Sequence, residues 1–378
     1  MTKNQLSESK PLPLADLAKV LRPSLGAALR LLLLRSTLRQ WPRVLREGTS
    51  PFVLLLIQAN NIAMINRLLN QGKRVVFLSS FPRSGNTWMR FLLTDVLLQA
   101  QGVETNTDLP VHPDNLIPEF RCDSLLSRFA RCPHWARERP TVFVKSHFLF
   151  ARLAQMLSLD GRQSFGLQAG GRGPYRDCRI LYLYRSPEDA LVSVYHLKHD
   201  DDYARSRAIH GIDEFCRKHV SRWIDNMTSH FQAADDGVPI YFVSYERMLE
   251  GTAMALDETL RWMGVPHDRQ VVERAVSNMQ FGKLQAMETQ ANKSRSPAGK
   301  QGLFFRRGGV GSGCAELQES TVREIQERTA SLLSEAKHRR MKQSSVHPAP
   351  ALAAPVLSEI EGSLRNGDSR DANIRLRR

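Results

Sequence analysis

Cysteine is scarce in this chain, and its spacing argues against two common structural uses. The five cysteines are odd in number and nowhere form a C-x-x-C pair. A disulfide framework needs paired cysteines, and structural zinc sites are usually built on closely spaced ones. We therefore expect neither, and unpaired thiols suit a reducing compartment.

Long apolar runs are also missing. The most apolar stretches, residues 31–34 and 52–57, fall far short of the ~20 residues that a membrane-spanning helix needs. The polar start MTKNQLSESKPLP lacks the hydrophobic region of a signal peptide. We therefore predict a cytoplasmic protein.

Acidic residues are fewer than basic residues in this chain. Lys and Arg total 53 against 38 Asp and Glu, which leaves a net charge of +15. Such a surplus favours an anionic partner, which can be nucleic acid, a membrane surface, or a phosphorylated or sulfated small molecule. The content of 42% apolar and 24% charged residues excludes a wholly disordered or collagen-like chain.

The two ends of the chain differ from its middle. Apolar residues recur at helical spacing among arginines between residues 14 and 46, and a second helical pattern covers residues 52–69. We interpret residues 1–72 as a helical extension whose basic face is either solvated or in contact with an anionic membrane. Residues 342–378 are polar and rich in Pro and Ala, which predicts a disordered tail.

Between these ends, over residues 73–341, short apolar runs alternate with helical patterns. The runs RVVFLSS, TVFVK, RILYLY and IYFV predict strands, and helices are predicted over residues 187–197, 212–234, 246–263, 268–279 and 316–334. This alternation is typical of a parallel sheet with helices on both faces. The sequence therefore predicts an α/β domain with a P-loop-like sheet, whose long loops at 103–140 and 148–178 carry acceptor contacts.

The motif FPRSGNTW, residues 81–88, joins a predicted strand to a predicted helix. A helix N-terminus there presents backbone N–H groups and partial positive charge to an anion. Gly85 lets the backbone approach a ligand closely, because glycine has no side chain. Arg83 adds the positive charge and the forked N–H donors of a guanidinium. Further hydrogen-bond donors follow at Ser84, Asn86 and Thr87. The motif is either an anion-binding loop or a tight turn, and it lacks the G-x-x-x-x-G-K-[ST] pattern of a nucleotide kinase.

A second motif, VKSH, places Lys145 and His147 at the end of another predicted strand. Residues two apart on a strand point to the same face, so both can reach one site. A histidine can remove a proton from a hydroxyl while a lysine neutralises developing charge. A surface lysine beside a structural histidine is the alternative.

A third motif, YRSPEDALVSVYH, puts Arg185 after a strand and Ser193 two turns into the following helix. We interpret Ser186 and Asp189 as a capping box, with Asp in place of Glu. An arginine at this position can bind a second phosphate.

The fourth motif, GLFFRRGGVGSG, sets Arg306 and Arg307 before Gly308. It is either a basic anion-binding loop or an exposed linker. We expect residues 288–313 to be mobile without an anion, because like charges dominate and apolar anchors are few.

In this order the motifs resemble those of the sulfotransferase family that uses 3′-phosphoadenosine 5′-phosphosulfate (PAPS). FPRSGNTW is similar to the family's 5′-phosphosulfate loop, VKSH to its K-x-H segment, and YRSPEDALVSVYH to its 3′-phosphate segment. VSYERML resembles its adenine-contacting stretch and FFRRGGVGS its C-terminal loop. The resemblance covers about residues 73–335. Arg83 stands where many members have Lys, and Gly311-Ser312-Gly313 replaces G-D-W.

The resemblance implies transfer of a sulfuryl group from PAPS to an acceptor hydroxyl or amine. It makes His147 the general base, with Lys145 and Arg83 stabilising charge. It assigns the nucleotide to Arg83, Ser84, Gly85, Asn86, Thr87, Trp88, Arg185, Ser193, Tyr245, Phe281, Arg306, Arg307 and Gly308. It implies no metal, and its acceptor is a small molecule, a carbohydrate or a lipid.

A different class of function stays open. A basic protein that binds membranes or nucleic acid on a nucleotide-binding scaffold, without transferase activity, accounts for the charge of +15. It does not account for a histidine beside two anion-binding motifs. We therefore expect no nucleic-acid partner, and we expect any membrane contact to lie in the basic N-terminal helices.

Overall fold

The computed structural model describes residues 51–100, 102, 113–120, 140–149, 178–197, 201–295 and 305–345. The predictions for the basic helix at 14–46, for most of the two long loops and for the tail beyond residue 345 lie outside the described residues. None of the helices in the described ranges is both long enough and apolar enough to cross a membrane.

The described residues form four strands and a set of helices. The strands are β1 (Arg74–Ser80), β2 (Thr141–Ser146), β3 (Cys178–Tyr184) and β4 (Ile240–Ser244). The α-helices are α1 (Pro51–Asn70), α2 (Asn86–Gln99), α3 (Pro187–Tyr195), α4 (Asp201–Ile209), α5 (Ile212–Asp235), α6 (Tyr245–Glu250), α7 (Thr252–Met263), α8 (Arg269–Asn278), α9 (Phe281–Arg295), α10 (Ser312–Glu316) and α11 (Glu319–Ser345). A 3-10 turn covers Pro113–Asn115.

The strands pair in parallel in the order β2-β1-β3-β4. Strand β1 is buried along all but its first residue. A strand covered on both faces needs apolar side chains in succession, which explains why its sequence RVVFLSS shows no alternation. The predicted strand bounds are therefore confirmed to within a residue at each end.

Helices cover both faces of the sheet. On one face, the Tyr182 hydroxyl donates to Asn226 Oδ1 of α5 at 2.6 Å, and the Tyr182 ring stacks on His230 with centroids 4.0 Å apart. Tyr241 is in register with the residue before Tyr182 and so points to the opposite face. There it stacks on Trp262 of α7, with centroids 5.3 Å apart. The structure confirms the predicted α/β class.

Two helices differ from their predicted bounds. The helix predicted over 246–263 is divided at Gly251, whose non-helical backbone separates α6 from α7. The last helix begins at Glu319, not at 316, and continues into the predicted tail. Its end is held by tertiary contact, because the Gln343 side chain accepts a 3.2 Å hydrogen bond from the backbone N–H of Phe242 and donates to the carbonyl of Ile240.

This topology places a crevice at the carboxyl ends of the strands. The chain leaves β1 toward β2 on one side and leaves β3 toward β4 on the other. Ligands of open α/β sheets bind where neighbouring connections diverge in this way. The loops after β1 and β3 therefore face a site that the sheet itself specifies.

Candidate functional site

A cavity of about 640 Å³ lies at this edge of the sheet. Fourteen of the fifteen candidate residues of the sequence analysis line it, although they come from separate parts of the chain. The lining includes Arg83, Gly85, Asn86, Thr87, Trp88, Lys145, His147, Arg185, Ser193, Tyr245, Phe281, Arg306, Arg307 and Gly308. Ser84 is fully buried beneath the loop, and its hydroxyl has no hydrogen-bond partner among the described residues.

The loop after β1, residues 81–88, has an unusual backbone. Arg83 has φ 69° and Gly85 has φ 90°, and Arg83 is the single non-glycine residue of the described ranges in this left-handed region. A Cβ at Gly85 would lie 2.7 Å from the Tyr245 ring, so only glycine fits. The Asn86 amide donates to the carbonyl of Leu78 at 3.0 Å, which fixes the start of α2 to β1.

Positive charge is concentrated beside this loop. Arg83 Nε donates to Ser193 Oγ at 2.9 Å. Burial, together with the neighbouring guanidiniums of Arg185 and Arg306, lowers the pKa of Arg83 to about 10. Since like charges oppose one another most strongly where water is excluded, an anion placed among them would be stabilised.

Arg185 connects the loop to the rest of the crevice. Its guanidinium lies 4.4 Å above the centroid of the Tyr245 ring, and its Nη2 donates to the Gly309 carbonyl at 2.7 Å. Its Nε is buried and has no acceptor within the described part of the chain. Buried charged donors are normally satisfied, so this arginine fits an anionic ligand group such as a phosphate.

Hydrogen bonding selects one tautomer of the neutral His147 ring. Its Nδ1 lies 2.9 Å from the backbone carbonyl oxygen of Ser80, which can only accept a hydrogen bond. The neutral ring therefore carries its proton on Nδ1 and leaves Nε2 as the proton acceptor. This is the tautomer that a general base needs.

Lys145 lines the same cavity, as the two-residue spacing predicts, but it has a partner that sequence reasoning missed. Its Nζ lies 2.7 Å from the Glu119 carboxylate. Glu119 reaches it because residues 118–120 run parallel to the edge of β2, where the Phe120 N–H donates to the Lys145 carbonyl at 2.9 Å. No local pattern marks Glu119, because the pairing joins segments 26 residues apart.

Aromatic side chains form one wall of the cavity. Trp88 meets Tyr245 edge to face with centroids 6.0 Å apart, and its Nε1 donates to the Met279 carbonyl at 2.9 Å. Phe281 packs so closely on Gly308 that a Cβ there would lie 2.4 Å from the ring. The wall offers flat apolar surface suited to a planar ligand ring.

The basic segment with Arg306 and Arg307 is anchored by carboxylates. The Glu316 carboxylate lies 3.0 Å from Nη1 of Arg306 and 2.8 Å from Nη1 of Arg307. Glu288 accepts from the Phe305 N–H at 2.8 Å. The segment expected to be mobile thus begins as regular helix, since α9 continues to Arg295, and residues 296–304 lie outside the described ranges.

The capping-box prediction is wrong. Ser186 is the N-cap residue of α3, but its side chain makes no capping hydrogen bond. Its backbone N–H donates instead to Glu246 at 2.9 Å. Asp189 turns away from its own helix and accepts from the N–H of Gly313 at 2.6 Å. The S-x-x-D pattern predicts that the two residues bond within one helical turn, whereas the partners of both belong to distant segments of the chain.

The site contains no obvious metal centre in the part of the chain that the structure describes. No group of three or more His, Cys, Asp and Glu side chains there is arranged to hold a metal ion.

Comparison with known proteins finds sulfotransferases among the relatives of this chain. Cytosolic sulfotransferase 5 of Arabidopsis thaliana is 24% identical over 252 residues, which cover 62% of this chain and 72% of that protein. Flavonol 3-sulfotransferase of Flaveria bidentis is 22% identical over 249 residues, covering 62% of this chain and 73% of that protein. A crystal structure of a mouse sulfotransferase complexed with PAP matches 73% of this chain and 89% of that one at 19% identity, with a TM-score of 0.44.

A family model decides the assignment. The model described as the sulfotransferase domain matches residues 73–344, which is most of the chain and includes every candidate residue named above. The chain therefore belongs to the PAPS-dependent sulfotransferase family.

Proposed function

We propose that this protein transfers the sulfuryl group of PAPS to a hydroxyl or amine of a small-molecule, carbohydrate or lipid acceptor, with His147 as general base. One observation carries the proposal. The Ser80 carbonyl selects the tautomer of His147 that has a proton acceptor at Nε2, in the same cavity as several buried or partly buried arginines. A protein that only binds membranes or nucleic acid does not need a proton acceptor beside those arginines.

The nucleotide fits the basic side of the cavity. Arg83 and the backbone of residues 84–87 would hold the 5′-phosphosulfate, and the buried Nε of Arg185 needs an acceptor of the kind that a phosphate supplies. Ser193, Arg306, Arg307 and Gly308 would complete the 3′-phosphate contacts. Trp88, Tyr245 and Phe281 would contact the adenine. When bound, PAPS supplies an activated sulfuryl group and a stable nucleotide leaving group.

The residues of this chain have two tasks in the reaction. His147 accepts the acceptor proton at Nε2, while its Nδ1–H stays on the Ser80 carbonyl and stabilises the imidazolium that forms. Lys145 contributes fixed positive charge, and Glu119 holds its Nζ in place at 2.7 Å. Since little covalent chemistry falls to the protein, orientation and electrostatics provide most of the rate enhancement.

The names of the relatives support two parts of the proposal, the class of the acceptor and the location of the protein in the cell. The name flavonol 3-sulfotransferase supports a small-molecule acceptor, and the name cytosolic sulfotransferase 5 supports a cytoplasmic location. Membrane contact through the N-terminal extension and the absence of a nucleic-acid partner stay predictions.

Turnover of radiolabelled PAPS against a panel of phenols, carbohydrates, lipids and amines tests the proposal. We expect at least one acceptor to be sulfated, and His147→Ala to lower turnover by about 10²–10⁴-fold with PAP affinity unchanged. His338→Ala is the matched control, because this exposed histidine of α11 does not line the cavity. Nucleotide binding without transfer to any acceptor would instead favour the binding protein, and an active His147→Ala variant would remove His147 from the mechanism.

A further inference from the structure

The carboxylate of Asp189 is almost completely buried and faces a segment far along the chain. Its Oδ2 accepts from the Gly311 N–H at 2.9 Å, and its Oδ1 accepts from the Gly313 N–H at 2.6 Å. The Ser312 hydroxyl lies 3.3 Å from the same Oδ1. One side chain at the start of α3 thus binds three donors that lie 122 to 124 residues further on.

Close packing makes this carboxylate necessary. A Cβ at Gly313 would lie 2.5 Å from the backbone carbon of Glu188 and 2.6 Å from the nitrogen of Asp189, so the starts of α3 and α10 are in direct contact. Gly313 is buried by this contact, and backbone N–H groups at a helix start have no partner within their own helix. A buried N–H without an acceptor is unfavourable, and Asp189 satisfies the buried one of Gly313 and also accepts the partly buried hydrogen bond from Gly311.

Asp189 also faces Arg185. Its Oδ2 lies 3.5 Å from Arg185 Nη2, and the same Nη2 donates to the Gly309 carbonyl at 2.7 Å. Asp189, Arg185 and the glycine loop, defined as residues 305–313, therefore form a closed set of contacts. The two groups of residues that we assign to the 3′-phosphate come from distant parts of the sequence, and this carboxylate ties them together.

We infer that Asp189 is a positioning residue for the 3′-phosphate half of the nucleotide site. It lies behind the ligands, where it sets the distance between Arg185 and the glycine loop. The inference rests on the proposed function, because it takes these groups as nucleotide ligands. Ser312 gives this chain a hydroxyl donor to Asp189 at a position where the G-D-W pattern has a carboxylate.

Asp189→Asn tests the inference, because an amide places an N–H group against the backbone N–H groups and removes the charge beside Arg185. We expect affinity for PAP, measured by calorimetry, to fall about 10- to 100-fold, as expected for lost charge-assisted hydrogen bonds. Affinity for adenosine 5′-monophosphate, which has no 3′-phosphate, should change less than about threefold. A merely structural role would weaken both nucleotides alike, and that result would overturn the inference.

Glu188→Gln is the matched control, because Glu188 is a buried carboxylate in the same turn of α3 whose side chain bonds Gln326 of α11. It should leave the ratio of the two nucleotide affinities unchanged. Ser312→Ala removes one donor while keeping Asp189, and should reduce PAP affinity about two- to fivefold. It serves as the test if Asp189→Asn does not fold, and an unchanged PAP affinity would then count against the inference.

Limited trypsin digestion of the nucleotide-free protein separates this inference from the proposed function. Cleavage after Arg306 and Arg307 should become faster in Asp189→Asn than in the wild type and in Glu188→Gln, because the glycine loop loses its anchor. Equal rates would refute the anchoring even if PAP binds. If the wild type bound no PAP while Asp189→Asn was still cleaved faster than the wild type, the proposed function would be refuted and the anchor would stand.

Discussion

The loop after β1 and the glycine loop share one assigned task, which is to hold a phosphate group of the same nucleotide, but they are stabilised differently. In the first, a local hydrogen bond fixes the start of α2, because the Asn86 amide reaches the Leu78 carbonyl eight residues back. In the second, the carboxylates of Asp189 and Glu288, which belong to other segments, hold the backbone N–H groups. The side chains of both loops make remote contacts, but the backbone of the first is held locally and that of the second is not.

The largest expected effect comes from the backbone of the β1 loop. Gly85→Ala introduces a Cβ at φ 90° that would lie 2.7 Å from Tyr245, so the loop or the ring has to move. Displacing the loop would weaken several charge-assisted hydrogen bonds to the nucleotide at once, each worth about tenfold or more, and we expect PAP affinity to fall by at least about 10²-fold in calorimetry.

Gly237→Ala is a matched control for backbone strain. Gly237 has nearly the same φ, 87°, but a Cβ there meets nothing within 4 Å. It should lower the melting temperature by a few degrees without changing PAP affinity. Equal loss of affinity in both variants would show that the β1 loop is sensitive to general stability and not to its own geometry.

The contrast between the loops also explains what the sequence could predict. The strand RVVFLSS and the loop FPRSGNTW were located correctly because an apolar run and a glycine turn are features of adjacent residues. The role of Asp189 is not predictable in this way, because the S-x-x-D pattern before an apolar run is also that of a helix cap. Its actual partners are 122 to 124 residues away. The role of Glu119 is not predictable from the sequence for the same reason, since its partner Lys145 lies 26 residues further along the chain.

A smaller effect is expected at Arg185, where the two regions meet. Arg185→Ala removes a guanidinium whose buried Nε has no acceptor in the described ranges, and Ser193→Ala removes a neighbouring hydroxyl of the same cavity. We expect Arg185→Ala to weaken PAP binding about 10- to 50-fold and Ser193→Ala about fivefold, with little change for adenosine 5′-phosphosulfate, because only PAP carries the 3′-phosphate.

The exposed Arg269 of α8 controls for net charge in that experiment. Arg269→Ala removes one positive charge away from the cavity lining and should leave both affinities unchanged. If Arg185→Ala weakened adenosine 5′-phosphosulfate as much as PAP, Arg185 would belong to the 5′ half of the site, and the division between the two loops would fail.

The smallest expected effect distinguishes two carboxylates that contact the glycine loop, those of Asp189 and Glu316. Asp189 accepts backbone N–H groups, whereas Glu316 lies against the guanidiniums of Arg306 and Arg307, which we assign to the 3′-phosphate. A phosphate and Glu316 would therefore compete for the same donors.

Because partly exposed ion pairs contribute little, Glu316→Gln should tighten PAP binding only about two- to fivefold, opposite in direction to Asp189→Asn. The gain should shrink at high salt, which screens charge. Glu324→Gln on α11 is the control, since Glu324 pairs with Arg217 and Arg328 outside the cavity. Weaker PAP binding by Glu316→Gln would mean that Glu316 positions the two arginines, and that Glu316 and Asp189 both act as anchors of the glycine loop.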